Sequence, residues 1–333
     1  MGVDVRPGLD PAVAEVRRAV REGLRTVADG TTVVLGVSGG ADSLALAAAA
    51  AFEAPKRGIR AVAVIVDHGL QEGSADVGAV ACAQVEALGL EAEVVRVEVA
   101  ADGGPEAAAR EARYTALAAA AHEHGAVVIL TAHTLDDQAE TVLLGLARGS
   151  GSGSLQGIAP ESTRGDGSRM LRPLLDVRRR TTRAACAAQD LTPWDDPHNT
   201  DPRFTRVRVR ASVLPTLERE LGPGVAEALA RTAAQVREDA EAFAEMIDET
   251  IEDIVEPAEA GIAVSVPALA ANPPALRHRI IRHVVAAEFG ESLTRTQTLE
   301  VARLVTDWHG QGPIDLPSCR AARTAGLIVF TAR

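Results

Sequence analysis

Several things are scarce in this sequence, and each absence removes a class of function. Lys56 is its single lysine and aromatic residues make up only 2%, so arginine carries nearly all the positive charge. That bias follows composition and says little about activity. The net charge of −12 argues against a general nucleic-acid coat protein, although it leaves room for a local basic patch. Cys82, Cys186 and Cys319 are few, odd in number and far apart. With no CxxC among them, a cysteine-built metal site is excluded and a reducing compartment fits. The longest apolar run, LALAAAAAF, is too short to cross a bilayer. The opening MGVDVRPGLDPAVAEVRRAV carries acids and no apolar core segment, so it does not read as a signal peptide, and Arg6 fails the myristoylation pattern. A cytoplasmic protein with no membrane partner is the expectation.

What is present is ample for a core: 47% of 333 residues are hydrophobic, which excludes wholesale disorder and leaves room for two domains. Apolar, β-branched runs at 31–37, 61–66, 93–99 and 126–132 alternate with helical stretches at 41–52, 76–88 and 106–123. Buried strands separated by helices imply an α/β fold, a doubly wound parallel sheet covered on both faces. A further helix starts at 134. GSGSGS at 149–154 reads either as a passive linker or as a mobile loop that contacts substrate. Beyond it, 212–255 is amphipathic and helical, interrupted at Gly222–Gly224. A strand at 261–266, helices at 273–289 and 294–308, and a terminal hairpin follow. The sequence divides near Pro215, into residues 1–215 and a mainly helical smaller domain, 216–333. The latter is thinly informative, and its RHRIIRH (277–283) reads as an ordinary charged helix face.

The chemistry concentrates at a few places. GVSGGADS after the first strand is glycine-rich but lacks the lysine that a Walker A loop needs, and its glycines do not fit GxGxxG. A Ser38-Gly39-Gly40 turn exposes successive backbone N–H groups that cradle an anion without side-chain charge, and the helix starting near Ala41 and Asp42 adds its positive end. Ser38 and Ser43 supply hydroxyls, and Asp42 can hold Mg²⁺ or a positively charged group. A plain strand–turn–helix connection capped by Asp and Ser explains the same residues. His133, Asp136, Asp137 and Glu140 stand at a strand's C-terminal end and the opening of the next helix, where doubly wound sheets bind ligands. Thr134 with Asp137 also fits a capping box. Three acids exceed what a cap requires, and clustered carboxylates suit a metal and an incoming cation. Arg110 and Arg113 share a helix face, placed to hold phosphate or to bridge to Glu106 and Glu111. A histidine such as His133 is more often a hydrogen-bonded structural residue than a base, and the same holds for His68, so a catalytic role is the minor reading of each. Between Arg164 and Arg210 lie eleven arginines and six acids, a local balance of +5, which marks a candidate polyanion site. Within it Arg206, Arg208 and Arg210 alternate as a strand face would.

SGGxDS after a first strand resembles the PP-loop of the N-type ATP pyrophosphatases. That resemblance implies a Rossmann-like fold, ATP as substrate with Mg²⁺, transfer of AMP to a carbonyl oxygen and release of pyrophosphate. Further blocks resemble the tRNA(Ile)-lysidine synthetase family. They are VDHGLQ (66–71, with Gln71 where the family has Arg), AAAREARYTAL (107–117), LTAHTLDDQAETVLLGLARGSG (130–151), MLRPLL (170–175) and NTDPRFTRVRVRASVLPTLE (199–218), the last with Val207 departing from the usual Asn. Together they cover about residues 31–218. The resemblance implies a ligase that adenylates the C2 carbonyl of the wobble cytidine in isoleucine tRNA with a CAU anticodon, then attaches free L-lysine to make lysidine. On that footing Ser38, Gly39, Gly40, Ala41, Asp42, Ser43 and His133 bind ATP. Asp42, Asp137 and Arg113 are catalytic, with Asp42 and Asp137 holding Mg²⁺ and Asp137 the proposed proton acceptor. Asp137 and Glu140 bind lysine, Arg203, Arg206, Arg208 and Arg210 meet the tRNA, and the C-terminal domain, 216–333, binds tRNA as well. By analogy with related folds, the first and fourth strands are neighbours. A homodimer is left open. The rival readings are a PP-loop tRNA thiolase, which the unpaired cysteines disfavour, and a non-catalytic nucleotide-binding module, which fits the DDQxE helix and basic island poorly.

Overall fold

A computed structural model of the chain describes residues 8–69, 73–98, 105–149, 151–259 and 261–333, with backbone alone at 105–107. Gln71, Ser150, the Glu106 side chain and the first residues of the N-terminal segment lie outside that description. The chain forms two compact units, dividing at Val236 and Arg237.

The first unit is built on a six-stranded sheet in the order β3-β2-β1-β4-β6-β5. Its strands are β1 (Thr32–Val37), β2 (Arg60–Asp67), β3 (Glu91–Arg96), β4 (Ala126–Leu130), β5 (Glu161–Thr163) and β6 (Arg169–Leu171). All neighbours run parallel except β5 on β6. Helices α1 (Pro11–Leu24), α2 (Ala41–Glu53), α3 (Ser74–Ala87), α4 (Pro105–Glu123), α5 (Leu135–Arg148) and α6 (Arg179–Ala187) cover it. Val33, Val34 and Leu35 of β1 are fully buried, as a strand covered on both faces demands. One core, around Leu35, Leu46 and Leu130, seats α1, α2 and α6; another, around Val34, Leu117 and Ile129, seats α4. Chain order reverses between β1 and β4, so the carboxyl ends of these two strands form the switch point where doubly wound sheets bind ligands. The expected adjacency of first and fourth strands is therefore present.

Past the sheet come α7 (Thr205–Arg208), one wider π-helical turn (Val209–Val213), α8 (Leu214–Leu221) and α9 (Val225–Ile254). Leu214, Ala226, Leu229 and Ala230 pack with Leu135 and Ala139 of α5, which is why the break in compactness falls beyond Pro215, inside α9. The GSGSGS stretch is neither long nor free along its described length. Ser152–Leu155 forms a 3₁₀ turn whose Ser154 backbone sits so close to Gly145 of α5 that a Cβ there would lie 2.2 Å from the Ser154 carbonyl oxygen.

The second unit holds β7 (Val255–Ala258), β8 (Gly261–Ser265), α10 (Val266–Ala271), α11 (Pro274–Phe289), α12 (Arg295–Thr306), β9 (Ile314–Asp315), β10 (Cys319–Thr324) and β11 (Leu327–Ala332). The terminal hairpin is the centre of a five-stranded antiparallel sheet, β7-β8-β11-β10-β9, so this unit carries more sheet than its helical periodicity suggests. Ile280, Val284 and Val301 of the helices pack against Ile328 and Phe330. Arg277 is buried, with its Nε donating to the Leu269 carbonyl at 2.8 Å, and so braces the fold.

Candidate active site

The turn between β1 and α2 is shaped by its glycines and serines. Gly39 sits at φ +78°, the left-handed region that excludes most side chains, and its α-hydrogens face the Ala81 methyl. Ser43 Oγ donates to the Gly40 carbonyl at 2.9 Å and accepts the Ser38 N–H at 3.1 Å, folding the turn back on itself. No side chain caps α2, whose N-cap is Gly40. The first helical N–H groups are therefore available to an anion, with the helix dipole behind them. Trp194 closes the turn from outside, its backbone N–H donating to the Gly39 carbonyl at 2.9 Å.

A cavity of about 520 Å³ opens beside this turn. Ser38 of the β1 turn, Asp67 and His68 after β2, Arg110 and Arg113 of α4, and His133 and Asp137 beyond β4 all line it. Trp194, His198, Phe204, Arg206 and Arg210, all from the chain beyond α6, complete its lining. Ser38, Arg113, His133 and Asp137, singled out in sequence, thus meet in one space. Gly39, Gly40, Ala41, Asp42 and Ser43 belong to the turn and helix start beside it.

Asp137 is the best-defined acid of the cavity. Its Oδ2 accepts both the N–H and the hydroxyl of Thr134 at 2.8 Å, so the capping box is real. Its Oδ1 accepts from Arg179 Nη2 at 2.8 Å. Burial pushes this carboxyl upward, but Arg179, the Thr134 donors and His133 outweigh it and hold it below the usual carboxylate range. Asp137 is therefore ionised and weakly basic. Asp42 behaves oppositely: burial raises it, against the Thr182 hydroxyl and Arg179 that favour its charge. His133 is pushed down to about 3, first by burial and then by the nearby charges of Arg172, Arg113 and Arg110, against the pull of Asp137. It is neutral at physiological pH, with Thr131 Oγ1 3.1 Å from its Nδ1.

Glu140 is placed differently from Asp137. Its side chain is 0% exposed and does not line the cavity. Arg179 and Arg210 donate to Oε1 at 3.1 and 2.7 Å, and Arg206 and Arg210 donate to Oε2 at 3.1 and 3.0 Å. Arg206 and Arg210 reach the same acid because they lie four apart on a helix, on one face. Here the strand-like reading of Arg206, Arg208 and Arg210 is corrected. Alternate arginines satisfy a period of two and also i,i+4, and the helical sequence downstream decides for helix. Arg208, two residues from either, points away and is exposed, folding back on the Pro202 and Arg203 carbonyls. Arg203 is exposed and paired with Asp201.

The basic island is corrected in the same way. Arg164, Arg169, Arg178 and Arg179 pair with Glu111, Glu161, Asp136 and Asp137, so acids folded in from elsewhere neutralise much of its local excess. Arg110 and Arg113 contrast with them: no described carboxylate lies within ion-pair distance of either, and Glu111 is taken by Arg164. Both lie over the Tyr114 ring and line the cavity. Sequence reasoning gave Arg179 and Asp67 no role of their own within the basic island and the VDHGLQ block, and it missed Thr182 and Trp194. Trp194 was the most findable, as one of only two tryptophans, in a segment rich in Asp and Pro.

For a hard divalent cation the donor set suits. Asp42 and Asp137 present carboxylate oxygens to one shared partner, Arg179, at 3.5 and 2.8 Å. Among the described residues no group of three or more His, Cys, Asp or Glu forms a metal cage. One or two carboxylates completed by nucleotide phosphates is the usual Mg²⁺ arrangement.

Residues 13–217 match the family described as PP-loop domain, and residues 265–328 the one described as TilS substrate binding domain. A tRNA(Ile)-lysidine synthase of Leifsonia xyli subsp. xyli is 61% identical over 306 residues, spanning 91% of each chain. One of Thermobifida fusca is 48% identical, over 98% of this chain and 99% of that protein. One of Mycobacterium tuberculosis is 48% identical, over 96% and 97%. Among solved structures, the U34-tRNA thiolase NcsA from Methanococcus maripaludis superposes with a TM-score of 0.58 at 19% identity. It covers 68% of this chain and 80% of its own, a likeness of fold alone. No described helix is long and apolar enough to cross a membrane.

Proposed function

The chain belongs to the tRNA(Ile)-lysidine synthases, ATP-using ligases built on the PP-loop domain, and we propose that its cavity beside Gly39 carries both halves of their reaction. The observation that carries the reading is convergence: Ser38 from the β1 turn and His133 and Asp137 from beyond β4 line one cavity at the switch point. Both halves, nucleotide activation and amine attack, need groups within reach of a single cytosine ring.

A cytosine C2 carbonyl is amide-like and a poor electrophile. In the first half its O2 attacks the α-phosphorus of ATP, the bond from that phosphorus to the bridging oxygen breaks, and pyrophosphate leaves. The uncapped N–H groups at Gly40, Ala41 and Asp42, with the Ser38 hydroxyl, hold the departing phosphates, while Ser43 donates its proton to the Gly40 carbonyl and fixes the turn. Arg113, with no described carboxylate to satisfy it, faces the negative charge gathering at the α-phosphate. His133, neutral, donates or accepts one hydrogen bond and adds no charge. Mg²⁺ held by Asp42 and Asp137 with phosphate oxygens would neutralise charge on the nucleotide.

In the second half the ε-amine of free L-lysine attacks C2, and the C2–O2 bond breaks as AMP departs with that oxygen. Asp137 draws in the ammonium with its ionised Oδ1 and, being a weak base, takes a proton from the nitrogen only as the C2–N bond forms and makes that nitrogen acidic. Glu140 contributes from behind, by holding Arg206 and Arg210 against the cavity wall. Those two meet the nucleotide that enters the site, while exposed Arg203 and Arg208 meet phosphates of the anticodon arm. The wobble base leaves its stack to reach the pocket, as RNA readers require of loop bases. A sulfur-transfer route finds no support: no cysteine lines the cavity, and burial pushes the Cys186 thiol up to about 11. The setting we propose is the cytoplasm.

The test is incubation with ATP, lysine and the CAU-anticodon tRNAs of isoleucine and methionine, followed by nucleoside mass analysis. Lysidine in the isoleucine tRNA alone, with AMP and pyrophosphate, is expected. ADP, or an unmodified cytidine, overturns the reading.

A further inference from the structure

Arg179, the first residue of α6, touches more of the site than any residue foreseen from sequence. Its guanidinium donates to Asp137 Oδ1 at 2.8 Å and Glu140 Oε1 at 3.1 Å, and its Nε lies 3.5 Å from Asp42 Oδ2. Its backbone N–H donates to Asp136 Oδ2 at 2.7 Å, so the residue is fixed at both ends. The side chain is 18% exposed and does not line the cavity. It is therefore spent inside the protein and is no part of an RNA-facing surface.

The three acids depend on it unequally. Glu140 keeps Arg206 and Arg210 on its two oxygens, and Asp42 keeps the Thr182 hydroxyl on Oδ1. Asp137 keeps Thr134 on Oδ2, but its Oδ1 has no other donor nearer than Arg210 Nη2 at 3.6 Å. The one carboxylate oxygen left on Arg179 alone is thus the one that the proposed reaction offers to the amine. Within the described residues, Arg179 is also the side chain that bridges the α2 acid of the nucleotide turn and the α5 acid of the amine site.

We propose that Arg179 is a positioning residue for lysine. It holds Asp137 Oδ1 in place as a charged acceptor beside the nucleotide turn, and acts on the amine only through Asp137. This rests on the functional reading above. Glutamine at 179 removes the charge and the fork, whereas lysine keeps the charge but cannot span two carboxylates.

The experiment compares wild type, Arg179→Lys and Arg179→Gln in two assays: pyrophosphate release from ATP and tRNA without lysine, in a single turnover, and lysidine formation against lysine concentration. Arg179→Gln should raise the KM for lysine by about tenfold to a hundredfold, the worth of a charge-assisted hydrogen bond. Lysine-free pyrophosphate release should fall by a smaller factor than lysidine formation at low lysine, since Asp42 and Asp137 also serve the nucleotide, and Arg179→Lys should lie between wild type and Arg179→Gln in KM. If Arg179→Gln does not yield folded protein, Arg179→Lys against wild type decides on the same readouts. An unchanged KM for lysine overturns the proposal. So does an equal fall in both assays without a KM change, the mark of a merely structural role. A wild type that makes no lysidine would instead sink the functional reading.

Discussion

Glu140→Gln separates a buried anchor from a substrate-binding acid. Glutamine keeps the shape and one acceptor oxygen but deletes a charge that is 0% exposed and faces three guanidinium groups. Exposed ion pairs are worth about 0–1 kcal/mol. Breaking a buried pair by removing one partner costs about 3–5 kcal/mol, because the other charge is left uncompensated. Since the amide still accepts one hydrogen bond, the lower end, about 3 kcal/mol, is the expected loss. For a unit of this size that corresponds to a fall in Tm of about 6–12 °C. Urea unfolding followed through Trp194 fluorescence, in a Trp308→Phe background, reads the first unit. Glu140→Gln/Arg206→Gln should recover part of the loss, because it removes one half-buried cation together with its anion. A loss below about 1 kcal/mol, or a double variant no better than the summed single variants, would refute the anchoring role. A raised KM for lysine with unchanged stability would show that Glu140 meets the substrate directly.

Other outcomes follow from the same geometry. Asp137→Asn should abolish lysidine formation while circular dichroism and solubility stay normal, and near-normal turnover removes this residue from the site. His133 is a base held neutral, with its pKa lowered from 6.5 to about 3, so the unfolded chain binds a proton that the folded one refuses. The stability it contributes is whole above pH 6.5 and is lost as pH falls from there toward 3, at about 1.4 kcal/mol per pH unit. His133→Gln should flatten the decline of the urea midpoint over that window, and an identical slope contradicts the assignment. Binding of isoleucine tRNA should weaken steeply with salt. Arg203→Ala and Arg208→Ala should each lower the log–log salt slope by about 1, and unchanged slopes would exclude phosphate contacts there.

What could be read in advance was whatever depends on local order. Alternating apolar runs and helical stretches marked the parallel sheet, because burial on two faces leaves a continuous apolar signature. The turn at Gly39 was legible since a left-handed backbone position calls for glycine. The capping box at the start of α5 was legible, and Asp137 does close it on Thr134, the N-cap. Alternation at 206–210 misled because one spacing satisfies two periods, and only the helical continuation through Leu214–Leu221 separates them.

Charge was the property that sequence could not resolve. A run of arginines looks alike whether it faces solvent or is neutralised by acids more than forty residues away, as Arg179 is by Asp42 and Asp137. The chain alone determined which elements form and where the glycine turn before α2 falls, since both follow from neighbours along the backbone. Tertiary structure decided which acid faces the cavity, which is buried beneath it, and which arginines are left exposed. Coulombic partnership depends on distance through space, and folding sets that distance.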